Sequence, residues 1–336
     1  MRPLSPSVRL GILALTCIVI VLIALITSGA NPAQVLTTLL TDSFRSPTAF
    51  ADTLKRFCPY MILGVAVFWA LRAGLFNIGV EGQFLMGGMT GTVVALQVGG
   101  LGGVLLGAVA GMVVGAAWAL PAAWIRAYRG GHEVISTIML NMIAFQLSNH
   151  LVAGPIMDPD AGFPTTRTLG PQDMLGGVPV GPITVNWALI LAFGFVVAFG
   201  WWLRKTVAGY ELSVVGANPT AGSFAGIDVK RTTFAALLAS GAIAGFGGGL
   251  QAVAFEGRFY MGFSTGYGFD ALGVAILAGG NPIGIIPSAF AYSLLQQGSL
   301  AVQTLHVPPG IATLILSLLV VLFSAIRYGK VGHANG

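Results

Sequence analysis

Charge is what this sequence has least of. Of 336 residues, 16 are Lys or Arg and 11 are Asp or Glu, only 8% in all, while 55% are hydrophobic. An ordinary soluble domain is about a quarter charged, so this composition excludes one. The same apolar bulk excludes a disordered chain, which is polar and highly charged. The net charge of +5 comes from no Lys/Arg stripe, so nucleic-acid binding lacks its electrostatic footprint. Cysteine is nearly absent. Cys17 and Cys58 lie in or beside apolar stretches without a CxxC spacing, and they read as small core hydrophobes rather than a disulfide framework. His132, His150, His306 and His333 are scattered and form no metal-ligand spacing. No phosphate loop of the form GxxxxGK followed by Ser or Thr occurs, and neither does HExxH. The chain therefore has no ATP cradle of its own, and an intramembrane hydrolase would lack a catalytic constellation.

Apolar sequence in helix-length runs is what remains. A bilayer core of about 30 Å takes roughly 20 apolar residues per helix, and about ten runs fit that rule. They cover about 9–28, 56–75, 82–98, 101–125, 134–152, 184–203, 232–254, 268–280, 283–302 and 309–327. The predicted fold is all-α, a polytopic membrane protein with a single transmembrane domain over 1–336. The third and eighth runs are short and glycine-rich, as broken or re-entrant helices are. Arg2 and Arg9 precede the first run, and Ser28, Gly29 and Ala30 follow it, like a secretory signal. Its apolar core from Leu10 to Ile26 exceeds a signal's, which favours a retained anchor.

With both termini in the cytoplasm, the inner segments hold Arg2, Arg9, Arg72, Arg126, Arg129, Arg204, Lys205, Lys230, Arg231, Arg327 and Lys330. The outer segments hold Arg45, Lys55, Arg56, Arg167 and Arg258, together with Asp42, Asp52, Asp158, Asp160, Asp173 and Glu256. That asymmetry is the positive-inside arrangement. Two connections are long. The outer one, 153–183, is rich in Pro, Gly and Asp and reads as irregular turns. In the inner one, 204–231, Asn218 can cap a helix whose first residue is Pro219. The spacing predicts a short helix over about 219–225, ending at Gly226, with small residues Ala221, Gly222 and Ala225. Periodicity alone leaves a partner-docking surface and a plain connector equally open.

Ionisable and polar groups inside apolar runs are costly and thus functional candidates. Between 71 and 88, Asn77, Glu81 and Gln83 are interleaved with Gly74, Gly79, Gly82, Gly87 and Gly88. Such glycine density favours an unwound stretch lining a cavity. The competing reading is a tight cytoplasmic hairpin with Glu81 solvated or paired with Arg72. Between 263 and 280, a constant offset lays Gly266, Gly279 and Gly280 over Gly74, Gly87 and Gly88, with Asp270 between. That suits a duplication into two inverted five-helix halves. In the fifth run, Glu133 opens the helix favourably for its dipole. Ser136, Thr137, Asn141 and Ser148 face either a pore or a neighbouring helix.

Four segments carry a family resemblance. They are Gly74-Leu-Phe-Asn-Ile-Gly-Val-Glu-Gly-Gln-Phe-Leu-Met-Gly-Gly88, Glu133-Val-Ile-Ser-Thr-Ile-Met-Leu-Asn141, Val215-Gly-Ala-Asn-Pro-Thr-Ala-Gly-Ser-Phe-Ala-Gly-Ile-Asp228 and Gly268-Phe-Asp-Ala-Leu-Gly-Val-Ala-Ile-Leu-Ala-Gly-Gly-Asn-Pro282. In this order they resemble permease subunits of bacterial ABC importers of the branched-chain amino acid, simple sugar and nucleoside group, closest to the nucleoside type. The resemblance covers all but the first 50 residues and the tail after about 330. It implies that 204–231 carries a coupling helix docking on a cytoplasmic ATP-binding subunit, with Gly216, Asn218, Pro219, Ala221, Gly222, Ala225, Gly226 and Asp228 as its residues. It further implies a second permease subunit, often a different chain, and an extracellular substrate-binding lipoprotein or periplasmic protein that meets 153–183 and the 255–267 turn. The location implied is the bacterial cytoplasmic membrane. No cofactor is expected on the chain itself, because ATP belongs to the partner. The substrate path would use the aromatic faces Phe76 and Phe269, the polar groups Asn77, Gln83 and Asn141, and the acids Glu81 and Asp270. The alternatives are a permease for ribose-like sugars and an ion-coupled secondary transporter with Glu81 and Asp270 as relays.

Overall fold

A computed structural model describes residues 6–305 and, beyond them, 307, 308, 314, 315, 317, 318, 321, 322 and 325. The last predicted run, 309–327, lies largely outside the described residues. Twelve α-helices are present among those described: α1 (Pro6–Thr27), α2 (Pro32–Thr41), α3 (Pro47–Arg72), α4 (Val80–Val98), α5 (Gly100–Arg129), α6 (Glu133–Val152), α7 (Trp187–Lys205), α8 (Val207–Ala217), α9 (Pro219–Phe224), α10 (Val229–Gln251), α11 (Tyr267–Ala278) and α12 (Ile285–Gln303). One antiparallel hairpin, β1 (Gly177–Val180) with β2 (Ile183–Asn186), is the only sheet there.

By length and composition four helices among the described residues can cross a membrane: Pro47–Arg72, Gly100–Arg129, Trp187–Lys205 and Val229–Glu256. The count rises to 5 if Gly11–Thr27 and Pro32–Phe44, bent by 110°, form one span. The fold class is thus the helical one expected, with four to five spans of that quality. Several boundaries move. The second predicted run starts nine or so residues late, because α3 begins at Pro47 and continues through Pro59. The expected irregular outer loop 153–183 is mostly irregular but ends in the hairpin, which delays α7 to Trp187. Val-rich 177–186 alternates around Gly181-Pro182, a strand–turn–strand pattern hidden among the turn residues. The expected inner loop contains α8, ahead of the predicted short helix. Thr206 caps α8 by accepting from the Gly209 N–H.

The chain divides into two compact units, one of 57–289 and one combining 1–56 with 290–336. In the smaller unit, Leu25, Val35, Leu39, Leu295, Val302, Val307 and Ile315 form an apolar core. Asn31 caps α2 there by accepting from the Ala33 and Gln34 N–H groups, with Pro32 at the first helical position.

The larger unit is organised by α4, α5 and α10, whose glycines face one another. A Cβ on Gly87 would collide with the backbone of Gly245. One on Gly115 would strike Gly241 and Gly245, and one on Gly248 would strike the Phe84 carbonyl. Helices in lipid gain no hydrophobic drive from association, so close backbone approach at small residues takes its place. The facing glycines of this triad, part of the 48 in the sequence, are therefore packing material. Gly248→Val is expected to cost about 1–3 kcal/mol or more through overpacking. The check is the melting temperature of the purified protein in detergent, with Gly11→Ala, where a Cβ meets nothing within 4 Å, as the neutral control.

Candidate functional site

Between α3 and α4 the backbone leaves the helix. Gly74 adopts φ +72, left-handed backbone suited to glycine, and a Cβ there would press on the Gly216 backbone at 3.0 Å. The freed N–H and C=O groups need partners, since an unsatisfied backbone group in hydrocarbon costs several kcal/mol. Side chains supply them. The Asn77 Oδ1 accepts from the Gly79 N–H at 3.0 Å. Its Nδ2 donates to the Gln83 Oε1 at 2.9 Å and to the Ser240 Oγ at 2.8 Å. Ser240 in turn donates to the Ala66 carbonyl at 2.7 Å, tying α10 to α3. From α6, the Asn141 Oδ1 accepts from the Gly82 N–H, and its Nδ2 donates to the Ile78 carbonyl, both at 2.9 Å. Asn77, Gln83, Asn141 and Ser240 are all buried. At the mouth of the break, Glu133 accepts from the Phe76 N–H at 3.4 Å and pairs with Arg126 at 3.1 Å.

The second glycine-rich region meets the first. Glu81, fully buried in the opening turn of α4, accepts through Oε2 from the Gly268 N–H of α11 at 2.6 Å. Its Oε1 is buried with no hydrogen-bond partner. Two residues on, the Asp270 Oδ2 accepts from the Tyr60 hydroxyl at 2.7 Å. Just ahead of α11, the Ser264 hydroxyl oxygen accepts from the Gly266 and Tyr267 N–H groups. Aromatic rings close the neighbourhood: Tyr60 lies 5.2 Å from Tyr267, and Phe84 lies 5.7 Å from Phe263. The hairpin reading of Glu81 is thereby corrected. It is neither solvated nor paired with Arg72, which donates instead to Ser213 at 3.1 Å.

Of the expected path residues, Asn77 and Gln83 bond directly, and Asn141 joins them through Gly82 and Ile78. Glu81 connects this junction to the helix bearing Asp270. Phe76 and Phe269 stand apart, 48% and 41% exposed. Ser240 and Tyr60 were missed by the sequence reading. Ser240 had a signal, a hydroxyl inside the apolar run Ala235-Ala-Leu-Leu-Ala-Ser-Gly241. Tyr60 had none, because an aromatic in an apolar run is ordinarily core. Thr137 and Ser148 bond to carbonyls of their own helix.

The 204–231 segment folds as its residues demand. Asn218 caps α9 by accepting from the Ala221 N–H at 3.0 Å, and Gly226, at φ +82, ends the turn. Asp228 then caps α10 by accepting from the Arg231 N–H at 3.0 Å. Pro219, Ala221 and Ala225 are exposed. Gly216 and Gly222, expected on the same surface, lie beneath it. A Cβ on Gly216 would overlap the Arg72 carbonyl, and Gly222 rests on Val215. The surface instead carries Phe224, 90% exposed. A lone large apolar side chain among Ala, Gly and Ser was the available signal for it.

The 153–186 stretch is laced to the 252–260 turn. Thr166 N–H bonds the Phe259 carbonyl at 2.8 Å, Leu169 N–H the Gly257 carbonyl at 2.7 Å, and Leu175 N–H the Val253 carbonyl at 2.9 Å. Asn186 donates to both the Leu175 and Ala254 carbonyls. Tyr260 donates to Glu256 at 3.2 Å. Burial, reinforced by that carboxylate, pushes the Tyr260 hydroxyl up to about 12, so it stays a donor throughout the neutral range.

The junction's chemistry generates one prediction. Asn77→Leu strands the Gln83 side chain and the Gly79 N–H, and each buried orphan costs about 1–3 kcal/mol. Thermal unfolding in detergent is expected to fall sharply for that variant and to stay unchanged for the exposed Phe269→Leu.

Residues 49–325 match the family described as branched-chain amino acid transport system, permease component. A glucose ABC transporter permease of Haloferax volcanii is 32% identical over 90% of this chain and 82% of its own length. A guanosine ABC transporter permease of Bacillus subtilis is 29% identical over 90% of this chain and 88% of its own. A nucleoside ABC transporter permease of Lactococcus lactis is 29% identical over 91% of this chain and 87% of its own. The chain belongs to the branched-chain amino acid transport system permease family, and is a multi-pass membrane component whose work is transport rather than catalysis.

Proposed function

We propose that the chain is the permease of an ATP-driven, binding-protein-dependent importer of nucleosides in the bacterial cytoplasmic membrane. The observation that carries the ATP-driven part is α9, a capped helix of 6 residues presenting Phe224 to solvent. A bare phenylalanine at a helix tip costs solvation unless a partner's cleft receives it. That partner is a separate ATP-binding subunit, which holds the ATP, and the chain itself needs no cofactor. The laced 153–186 and 252–260 surface is available to an extracellular substrate-binding protein, and a second permease subunit, a different chain, completes the pathway.

The topology in this reading has about ten crossings with both termini cytoplasmic, including short spans at α4 and α11. In that topology α4 enters from the inside and α11 from the outside, yet both begin at the Glu81–Gly268 contact. Helix α11, 12 residues or about 18 Å long, thus starts well inside the bilayer. Two helices broken at one point from opposite sides support inverted halves. The solute crosses where Phe76 and Phe269 are exposed, on a route positioned by Asn77, Glu81, Gln83, Asn141 and Asp270.

Nucleosides are favoured by the guanosine and nucleoside permeases among the relatives. The glucose relative supports a second reading, a sugar permease. The test is uptake by the assembled transporter in proteoliposomes. Uptake of labelled guanosine that requires ATP and the binding protein is expected. Glucose uptake without guanosine uptake would favour the sugar reading, and uptake driven by an ion gradient would overturn the ATP-driven one. Phe224→Asp and Ala221→Trp are each expected to lower substrate-stimulated ATP turnover roughly tenfold, as loss of an interface anchor does. Normal turnover in both would remove α9 from the coupling interface.

A further inference from the structure

A cavity of about 510 Å³ lies between α8 and the start of α10, outside the Asn77–Glu81 junction. That volume is within the range of small-molecule sites. Its lining includes Trp69 and Trp202, whose rings stack with centroids 4.4 Å apart at 20°. Phe199 extends the stack, 5.3 Å from Trp69. The Trp69 ring N–H is buried with no hydrogen-bond partner. Three charged residues also line the cavity: Glu211, Asp228 and Arg231. The Asp228 carboxylate is engaged in capping α10. The side chains of Glu211 and Arg231 take part in no hydrogen bond or ion pair among the described residues, although both border the same space.

An indole wall with one uncommitted acceptor and one uncommitted donor has the recognition chemistry of a heterocyclic base. Such a base offers a π face for stacking, N–H groups for a carboxylate, and ring nitrogens or carbonyls for a guanidinium. Two acids against one arginine disfavour an anionic ligand such as a nucleotide phosphate or an acidic lipid headgroup. The cavity wall also contains Gly226, Ile227 and Asp228, which link α9 to α10 just after the Ala225 C-cap. A ligand held there would stiffen the segment on which α9 stands, and any such effect on coupling is reciprocal with binding.

We infer that this cavity is a second binding site, on the cytoplasmic side, that takes an uncharged nucleobase or nucleoside and restrains α9, so that accumulated product slows its own import. The inference rests on the proposed orientation and on nucleosides as the transported solute. Glu211 accepts from the base, Arg231 donates to it, and the Trp69–Trp202 pair supplies the stacking surface.

The experiment has two arms. In the first, quenching of tryptophan fluorescence is titrated in the purified transporter with guanosine, guanosine 5′-monophosphate and glucose. Saturable quenching by guanosine is expected, at least several-fold weaker for the monophosphate, absent for glucose, and lost in Trp202→Phe and in Glu211→Gln/Arg231→Gln. Equal quenching in the double variant, or monophosphate binding as tightly as guanosine, would overturn the site. In the second, proteoliposomes are preloaded with guanosine and the initial rate of ATP-driven uptake is measured. Uptake is expected to fall several-fold with internal guanosine and to resist it in the double variant, whose rate without internal guanosine matches the wild type. Uptake that proceeds undiminished against internal guanosine would overturn the restraint on α9. If the transporter moves glucose and not guanosine, the nucleoside reading fails, and the fluorescence arm still decides the cavity separately.

Discussion

A polypeptide backbone that leaves its helix where the protein shuts out water must find its hydrogen bonds within the protein. Much of the larger unit follows from how this chain meets that constraint between Arg72 and Val80. Asn77 and Asn141 approach the break from two sides and give it the hydrogen bonds that a continuous helix would have made within itself. Ser240 carries the network into α10, and Glu81 carries it to the first turn of α11. Helices α3, α4, α6, α10 and α11 are thus registered against one another by polar contacts at a single place. The glycine faces of α4, α5 and α10 then allow the close approach those contacts require.

This arrangement revises how intramembrane polar residues are read. Rarity in an apolar run marks a residue as consequential without saying whether it handles the solute or the fold. The amide groups of Asn77, Gln83 and Asn141 are committed to protein partners. Glu81 differs, because one oxygen holds Gly268 while the other is buried without a partner.

Much of this was legible in the sequence. The α9 helix was read almost to the residue, because Asn218, Pro219 and Gly226 are local signals whose physics acts within a few residues. The short α4 and α11 were marked by glycine density and by the acids near their starts. What was not legible depended on distance along the chain. No pattern within 71–88 tells that Glu81 meets Gly268, or that Ser240 completes Asn77. Long-range pairing is set by helix packing, and a single sequence does not display it. The hairpin at 177–186 was obscured because its glycines and prolines merged with the turn residues of the irregular stretch before it. Gly216 and Gly222 pack against neighbouring residues for a reason the sequence does not show: smallness suits both a docking surface and a packed floor, and only the neighbours decide.

The central claim is that Asn141 and its partners replace helix hydrogen bonds at the break, holding the unwound segment in place. Hydrogen–deuterium exchange across 76–83 in the intact transporter, wild type against Asn141→Ala, tests it most directly. The account expects slow exchange in the wild type and markedly faster exchange in the variant at Gly82 and its neighbours, with the centre of α5 unchanged. Equal protection of 76–83 in the two proteins would contradict it.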